Sequence, residues 1–133
     1  MAKLAPRVKP CSSCPYRRDA PSGLWDAREY AKLPAYDLDT AYQPLGLFMC
    51  HSSPDWICSG WAACHDLTVT LAIRLSLACG EVDRAITEYS TTVPLFSSGA
   101  EAAAHGLRDL ESPSSVAIVK ATQLERLIGR RQA

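Results

Sequence analysis

Cys11-Ser12-Ser13-Cys14-Pro15 sets two thiols in a segment with few means of ordering itself. Residues 1–24 hold four prolines, two serine-rich steps and Gly23, which argues for irregular loop in place of a regular element. Something other than a backbone ladder is therefore expected to fix the chain here. A C-x-x-C spacing lets two thiolates converge on one metal centre while backbone amides of the turn point at the sulfurs. One such pair says little alone. It gains weight because Cys50 and Cys58 follow in a second loop rich in proline and serine, which also lacks a visible reason to be ordered. Four thiolates from two loops make a candidate single site: Cys11, Cys14, Cys50 and Cys58.

The spacing of the second pair separates two chemistries. Structural zinc sites recruit ligands in close pairs, whereas Cys50 and Cys58 have seven residues between them, as two independent contributions to a larger cluster would. The expected cofactor is thus an iron–sulfur cluster, [4Fe–4S] before other forms. Zinc stays open as the alternative, because Cys58 with Cys64, or His51 with His65, can be combined with Cys11 and Cys14. Tyr16, Phe48, Trp56 and Trp61 lie within three residues of a candidate ligand and can exclude water, although aromatic rings beside cysteines are also ordinary core. Arg17 and Arg18 can offset cluster charge, but an exposed basic pair is the commoner reading.

The other two cysteines read differently. Cys79 ends an apolar run and is expected to be a buried small hydrophobe. Cys64 stands near the start of an expected helix, where the dipole would favour a thiolate. Adjacent helical residues point about 100° apart, so His65 is poorly placed as its base and is expected to be structural or to support the site. His105 is expected at the surface or in packing.

Six cysteines without a secretion-type start fit a reducing compartment, where thiols bind metal or fill core. No stretch approaches the roughly 20 apolar residues needed to span a bilayer, so a cytoplasmic location without membrane contact is expected. Basic and acidic side chains balance at 14 each, but residues 1–34 hold seven basic and three acidic, making the cysteine end the basic end. That surplus can serve a negatively charged centre, and charge alone does not point to nucleic acid.

The fold expected is mainly α, one domain over 1–133: cysteine-bearing loops with a short helix over 1–60, packed on a helical bundle over 61–133. Asp26 caps a two-turn helix over 27–33, with Glu29 at capping-box spacing and Pro34 closing it. A helical turn is expected around 39–42. Trp61 to Cys79 is rich in Ala and Leu and ends at Gly80, predicting a central helix of about five turns. Further helices are predicted over 81–89, from Ser98 to Leu110, and from Ser112-Pro113 to Ile128 with Gly129 near its end.

The opening Cys-Ser-Ser-Cys-Pro-Tyr-Arg-Arg-Asp-Ala-Pro-Ser-Gly-Leu-Trp, then Glu29-Tyr-Ala-Lys-Leu, Phe48-Met-Cys-His and Cys58-Ser-Gly-Trp, resembles a family of small uncharacterised proteins from actinobacteria and their bacteriophages. The resemblance covers about residues 11–65. It implies a C-x-x-C-P-[YW]-R opening, a C-H dipeptide and a C-x-G-W step, which fall here on Cys11, Cys14, Cys50 and Cys58 as cluster ligands, and, for a phage-encoded member, a place in the host cytoplasm. It implies no reaction. Gly23-Leu24-Trp25 also looks like the Gly-Val-Trp turn of WhiB-like iron–sulfur regulators, whose cysteine order differs.

Three functions follow from the residues. The first is a redox or sensing iron–sulfur protein that acts through a protein partner. The second is a zinc-stabilised adaptor, with Lys3, Arg7, Lys9, Arg17 and Arg18 available for phosphate contacts and a steep salt dependence expected. An enzyme ranks last, because four cysteine ligands leave a metal no open position.

Overall fold

The structure is a computed structural model that describes residues 3–132, with side chains described as far as 126. It is mainly helical. Among the described residues five α-helices follow in order: α1 (Ala27–Ala31), α2 (Ser59–Cys64), α3 (Leu71–Ala78), α4 (Gly99–Arg108) and α5 (Ser115–Gln132). Three 3-10 helices join them at Pro34–Asp37, Thr40–Tyr42 and Arg84–Glu88.

Local chemistry sets the ends. Asp26 caps α1 by accepting from the Arg28 N–H, but Glu29 does not reach back to close a capping box. Its carboxylate is held by Lys32 and His51 instead. Pro34 stops α1 and opens the next 3-10 turn, for which its fixed φ and missing N–H are suited. Ser98 caps α4 through the Glu101 N–H as expected. The last helix begins later than Ser112-Pro113, with the Ser114 hydroxyl accepting from Ala117.

The predicted central helix is broken. His65 turns extended at the end of α2 (φ −107°, ψ 154°). The Asp66 carboxylate then accepts from both the N–H and the hydroxyl of Thr68, while the Thr70 hydroxyl donates to the Asp66 carbonyl. These short-range bonds offer the backbone an alternative to the helical ladder, and β-branched Thr68, Val69 and Thr70 have little helix propensity to resist it. The helix resumes at Leu71 and ends before Gly80, which takes φ +74° as the predicted stop requires.

The second half is not a self-contained bundle. The main helix-to-helix packing brings α4 onto α1 and the Pro34–Asp37 turn. Small residues make this possible: Gly99, Ala102, Ala103 and Gly106 are the buried positions of α4, spaced along one helical face. A Cβ at Gly99 would overlap the Leu33 carbonyl, and one at Gly106 would overlap the Tyr30 ring. The loops also have anchors that sequence reasoning did not expect. Isolated bridges tie Leu4 to Val82, Pro6 to Ile57, Arg17 to Leu95 and Met49 to Ile57. The core runs across both halves, through Tyr16, Tyr30, Leu33, Ile57, Trp61, Ile73 and Val82.

Candidate metal centre

Each thiol is delivered by a different local device. Around the first pair, the Cys14 N–H closes a turn on the Cys11 carbonyl at 2.9 Å, and the Trp25 indole N–H donates to the Ser13 carbonyl at 2.8 Å. The second pair owes its position to the bridge between Met49 and Ile57. The Cys50 N–H donates to Trp56 O and the Cys58 N–H to Phe48 O, so the chain runs antiparallel to itself there. Side chains alternate along extended backbone, so 50 and 58, each one residue beyond a bridge partner, fall on the same face. The intervening residues turn the chain back and let two distant cysteines meet one site.

The sulfurs meet as two pairs. Cys14 Sγ and Cys58 Sγ are 3.6 Å apart and both side chains are buried. Cys11 and Cys50 lie close enough that each perturbs the other's ionisation, and each sulfur also pairs with a serine hydroxyl, Ser13 at 3.5 Å and Ser52 at 3.2 Å. Cys50 is also buried, while Cys11 is only part-buried. Among the described residues, no three or more His, Cys, Asp or Glu side chains come together as a bound metal ion would need. The pairs nonetheless share a neighbourhood, since Cys14 feels the charge of Cys50.

In each pair one sulfur is favoured as thiolate. A hydrogen bond from Cys58 lowers the pKa of Cys14 against the opposing effect of burial, helped by the N–H groups of Tyr16 and Gly60. Cys58 is raised correspondingly, first by that same bond and then by burial. A bond from Cys11 lowers Cys50, again against burial, with further donation from the Ser52 hydroxyl and the Ser52 and Ser53 N–H groups. Cys11 is raised by the bond to Cys50 and by burial. Backbone donors aimed at sulfur are what a thiolate centre needs to hold its charge out of water.

Gly60 shows how closely the chain is built around this group. A Cβ there would overlap Cys14 Sγ and stand 2.8 Å from Tyr16 Cβ. Only a glycine lets the first turn of α2 approach the sulfur. Cys58 caps the same helix, its sulfur accepting from the Trp61 N–H at 3.5 Å.

Of the four aromatic residues proposed to exclude water, Tyr16, Phe48 and Trp61 are buried, whereas Trp56 is 43% exposed. Arg17 and Arg18 make their hydrogen bonds elsewhere, although Arg17 still feels the charge of Cys14 and Cys11. Arg17 binds Asp19 and the Pro10 carbonyl, and Arg18 binds Glu101 and the Leu95 carbonyl while lying over the Phe96 ring.

Two cysteine expectations are corrected. Cys79 is exposed, because α3 turns its last residues outward before Gly80. Cys64 lies at the C-terminal end of α2, not at a helix start. Burial, with the nearby Asp37 carboxylate, pushes its thiol up to about 12, and it donates to the Phe96 carbonyl at 3.4 Å. It is no activated nucleophile. His65 contacts the Tyr16 hydroxyl at 3.5 Å and lies 4.0 Å from Asp37, in keeping with a structural residue. His105 bonds the Ala20 carbonyl and stacks beside Phe96, which is packing.

The sequence reading missed the shell around Cys50. His51 Nε2 lies 2.6 Å from Glu29 Oε2, and the ring sits beside Trp25 and Phe48 at centroid distances of 4.7 and 5.2 Å. The C-H dipeptide gave a signal for His51, but only the fold could bring Glu29 to it. Among the described residues, two buried nitrogens, His51 Nδ1 and Trp61 Nε1, have no hydrogen-bond partner.

Two neighbouring cysteine pairs, three of their four thiols buried and with backbone N–H groups turned toward the sulfurs, are carried by a mainly helical protein. The four thiols fit a thiolate-bound metal group in donor chemistry. The chain belongs to a family of unknown function (DUF6283), matched over residues 6–126, a span that includes the whole centre. No curated protein and no solved structure matches it.

Proposed function

We propose that the protein binds an iron–sulfur cluster through Cys11, Cys14, Cys50 and Cys58, with [4Fe–4S] as the expected form, and uses it in a redox or sensing role toward a protein partner. The observation that carries this reading is that four thiols from loops about 40 residues apart lie as two neighbouring pairs, with backbone N–H groups directed at Cys14, Cys50 and Cys58. Such donors stabilise thiolate charge and would tune a cluster's potential. Cys11, the least buried of the four, gives the centre a side facing solvent. A change of redox state could be felt by a partner there.

The 3.6 Å between Cys14 and Cys58 favours a second reading. Two thiolates on one tetrahedral ion at about 2.3 Å lie about 3.8 Å apart, so a structural zinc in an adaptor also suits that pair. Of the basic residues offered for nucleic acid, Arg17 and Arg18 already bind carboxylates.

Anaerobic purification followed by a visible spectrum and analysis for iron, sulfide and zinc tests both. A brown protein with matched iron and sulfide, bleached in Cys58→Ser, is the expected result. A colourless protein with one zinc selects the adaptor. A folded, fully coloured Cys58→Ser variant overturns the ligand assignment.

A further inference from the structure

Cys14 and Cys58 are 44 positions apart in sequence and 3.6 Å apart at their sulfurs. A disulfide needs about 2.05 Å, so about 1.5 Å of sulfur movement, shared between two side chains, closes one. The backbone on both sides is already fixed. The Cys14 N–H is bound to the Cys11 carbonyl, and the Cys14 carbonyl accepts from Arg17 at 3.0 Å. The Cys58 N–H is bound to the Phe48 carbonyl, and the Cys58 carbonyl accepts from Ala62 at 3.0 Å. Closing the bond therefore falls to rotation about two Cα–Cβ bonds. It disturbs one weak contact, the 3.5 Å approach of the Trp61 N–H to Cys58 Sγ.

The fold gives Cys14 a different partner from the one its sequence spacing offers. A C-x-x-C step by itself favours a bond between Cys11 and Cys14. Cys14, 1% exposed, instead lies inward against Cys58, 3% exposed, while Cys11 is part-buried and pairs with the Ser13 hydroxyl. Cys64 is held on the Phe96 carbonyl, and Cys79 is exposed at the end of α3. Gly60 secures the arrangement, since only its missing side chain lets Cys14 Sγ lie against the first turn of α2. Two thiols kept in contact on fixed backbone present each other with a high effective concentration.

We propose that Cys14 and Cys58 form a reversible oxidation site of the metal-free chain, closed to a disulfide by hydrogen peroxide and reopened by a dithiol reductant. One sulfur attacks a peroxide oxygen, the O–O bond breaks, one water leaves, and that sulfur becomes a sulfenic acid. The second sulfur then attacks the first. The S–S bond forms, the S–O bond breaks, and the oxygen leaves as a second water. Two thiols and one peroxide thus give one disulfide and two waters. The sulfurs lose the two electrons that the peroxide gains, and the thiol protons end in the waters. The bond ties the N-terminal loop to the start of α2 and takes two of the four sulfurs proposed for the metal, so the oxidised chain is closed to metal. The oxidation itself concerns free thiols and does not require that the centre takes a metal.

The test uses the full-length native chain, reduced, freed of metal by chelation and treated with an equivalent of hydrogen peroxide. Remaining thiols are alkylated in denaturant and the chain is digested with trypsin, which leaves Cys11 and Cys14 in peptide 8–17 and Cys50, Cys58 and Cys64 in peptide 33–74. The expected product is a cross-link between these peptides, assigned to Cys14 and Cys58 by fragmentation, with both residues lost from the alkylated pool and regained after dithiothreitol. Cys11→Ser should still form it and Cys58→Ala should not. The native chain carries the decision, so misfolding of a variant does not. A product in which Cys14 and Cys58 are not joined to each other overturns the inference, whether Cys11 is bonded to Cys14 or the exposed Cys79 alone is oxidised. Zinc titrated into the reduced and oxidised chains reports separately on the metal reading, with uptake expected only in the reduced one. A Cys14–Cys58 bond in a chain that takes no metal in either state removes the metal reading and leaves the oxidation site standing. Metal uptake without that bond removes the oxidation site alone, and equal uptake by both chains removes the closure to metal.

Discussion

Cys14 and Cys58 meet behind Tyr16, Gly60 and Trp61, whereas Cys11 and Cys50 are each paired with a serine hydroxyl, in turns that adjoin Trp25 and His51, with Cys11 partly open to solvent. The first pair is built like core. Its sulfurs touch, a glycine is needed to admit one of them, and the other caps a helix. The second pair is built from turns and ringed by groups that can ionise. The contrast teaches that one centre can have an inner side that resists change and an outer side that is tuned by charge.

The largest expected effect tests that contrast directly. Cys58→Ser should abolish metal retention and lower the stability of the metal-free protein by about 1–3 kcal/mol, since it puts a poorly partnered hydroxyl into a buried site. Cys11→Ser should cost the metal-free fold no more than about 0.5 kcal/mol, as surface-side changes do. Urea denaturation of both variants, with metal analysis beside it, checks this. Equal losses would erase the distinction between inner and outer pairs.

Gly60→Ala probes the inner side without touching a sulfur. The added methyl would overlap Cys14 Sγ and crowd Tyr16, so a loss of about 1–3 kcal/mol is expected together with impaired metal binding. Gly46 has nothing within 4 Å of an added Cβ, and Gly46→Ala should leave both quantities nearly unchanged. Thermal unfolding of the two variants side by side gives the comparison its own control.

Asp37→Ala moves away from the sulfurs to the scaffold that holds them. The Asp37 carboxylate accepts from the Gly99 and Ala100 N–H groups at 2.8 and 2.7 Å, tying the Pro34–Asp37 turn to the start of α4. Removing it should cost about 1–2 kcal/mol, the worth of a helix-end acceptor with favourable dipole alignment. Metal content per folded molecule should not change. If it falls, α4 is part of the site and not merely its support.

What the sequence disclosed and what it hid divide along range of interaction. Asp26, Ser98 and Gly80 stood out because caps and stops are read from a few neighbouring residues, and the structure has them in those roles. The mainly helical character was legible for the same reason. The break at His65–Thr70 was hidden by good Ala and Leu content on both sides, and only Asp66 with its two side-chain bonds decides it. The anchoring of the N-terminal loop through Val82, Ile57 and Leu95 was out of reach, since isolated bridges leave no period in the sequence. At the candidate centre, spacing alone singled out Cys11, Cys14, Cys50 and Cys58 as candidates. Their division into two pairs, and the recruitment of Glu29 from α1 to His51, depend on contacts 22 or more residues apart.

The smallest expected effect is a pH dependence on the side of the molecule facing α4. Burial lowers the pKa of His65 below its ordinary 6.5, with Asp37 acting in the opposite direction but not enough to reverse it. The folded chain therefore resists a proton that the unfolded chain accepts. As pH falls through about 6.5 toward the folded pKa, the unfolded state binds more protons, and stability drops; above that range His65 is neutral in both states and contributes no slope. Burial holds His51 neutral in the same sense, so His65→Gln should reduce the slope of stability against pH below 6.5 without abolishing it. Urea midpoints of the metal-free protein at several pH values measure both slopes. An unchanged slope would mean that His65 does not titrate against the fold, and that the slope just below pH 6.5 is set by other groups, His51 among them.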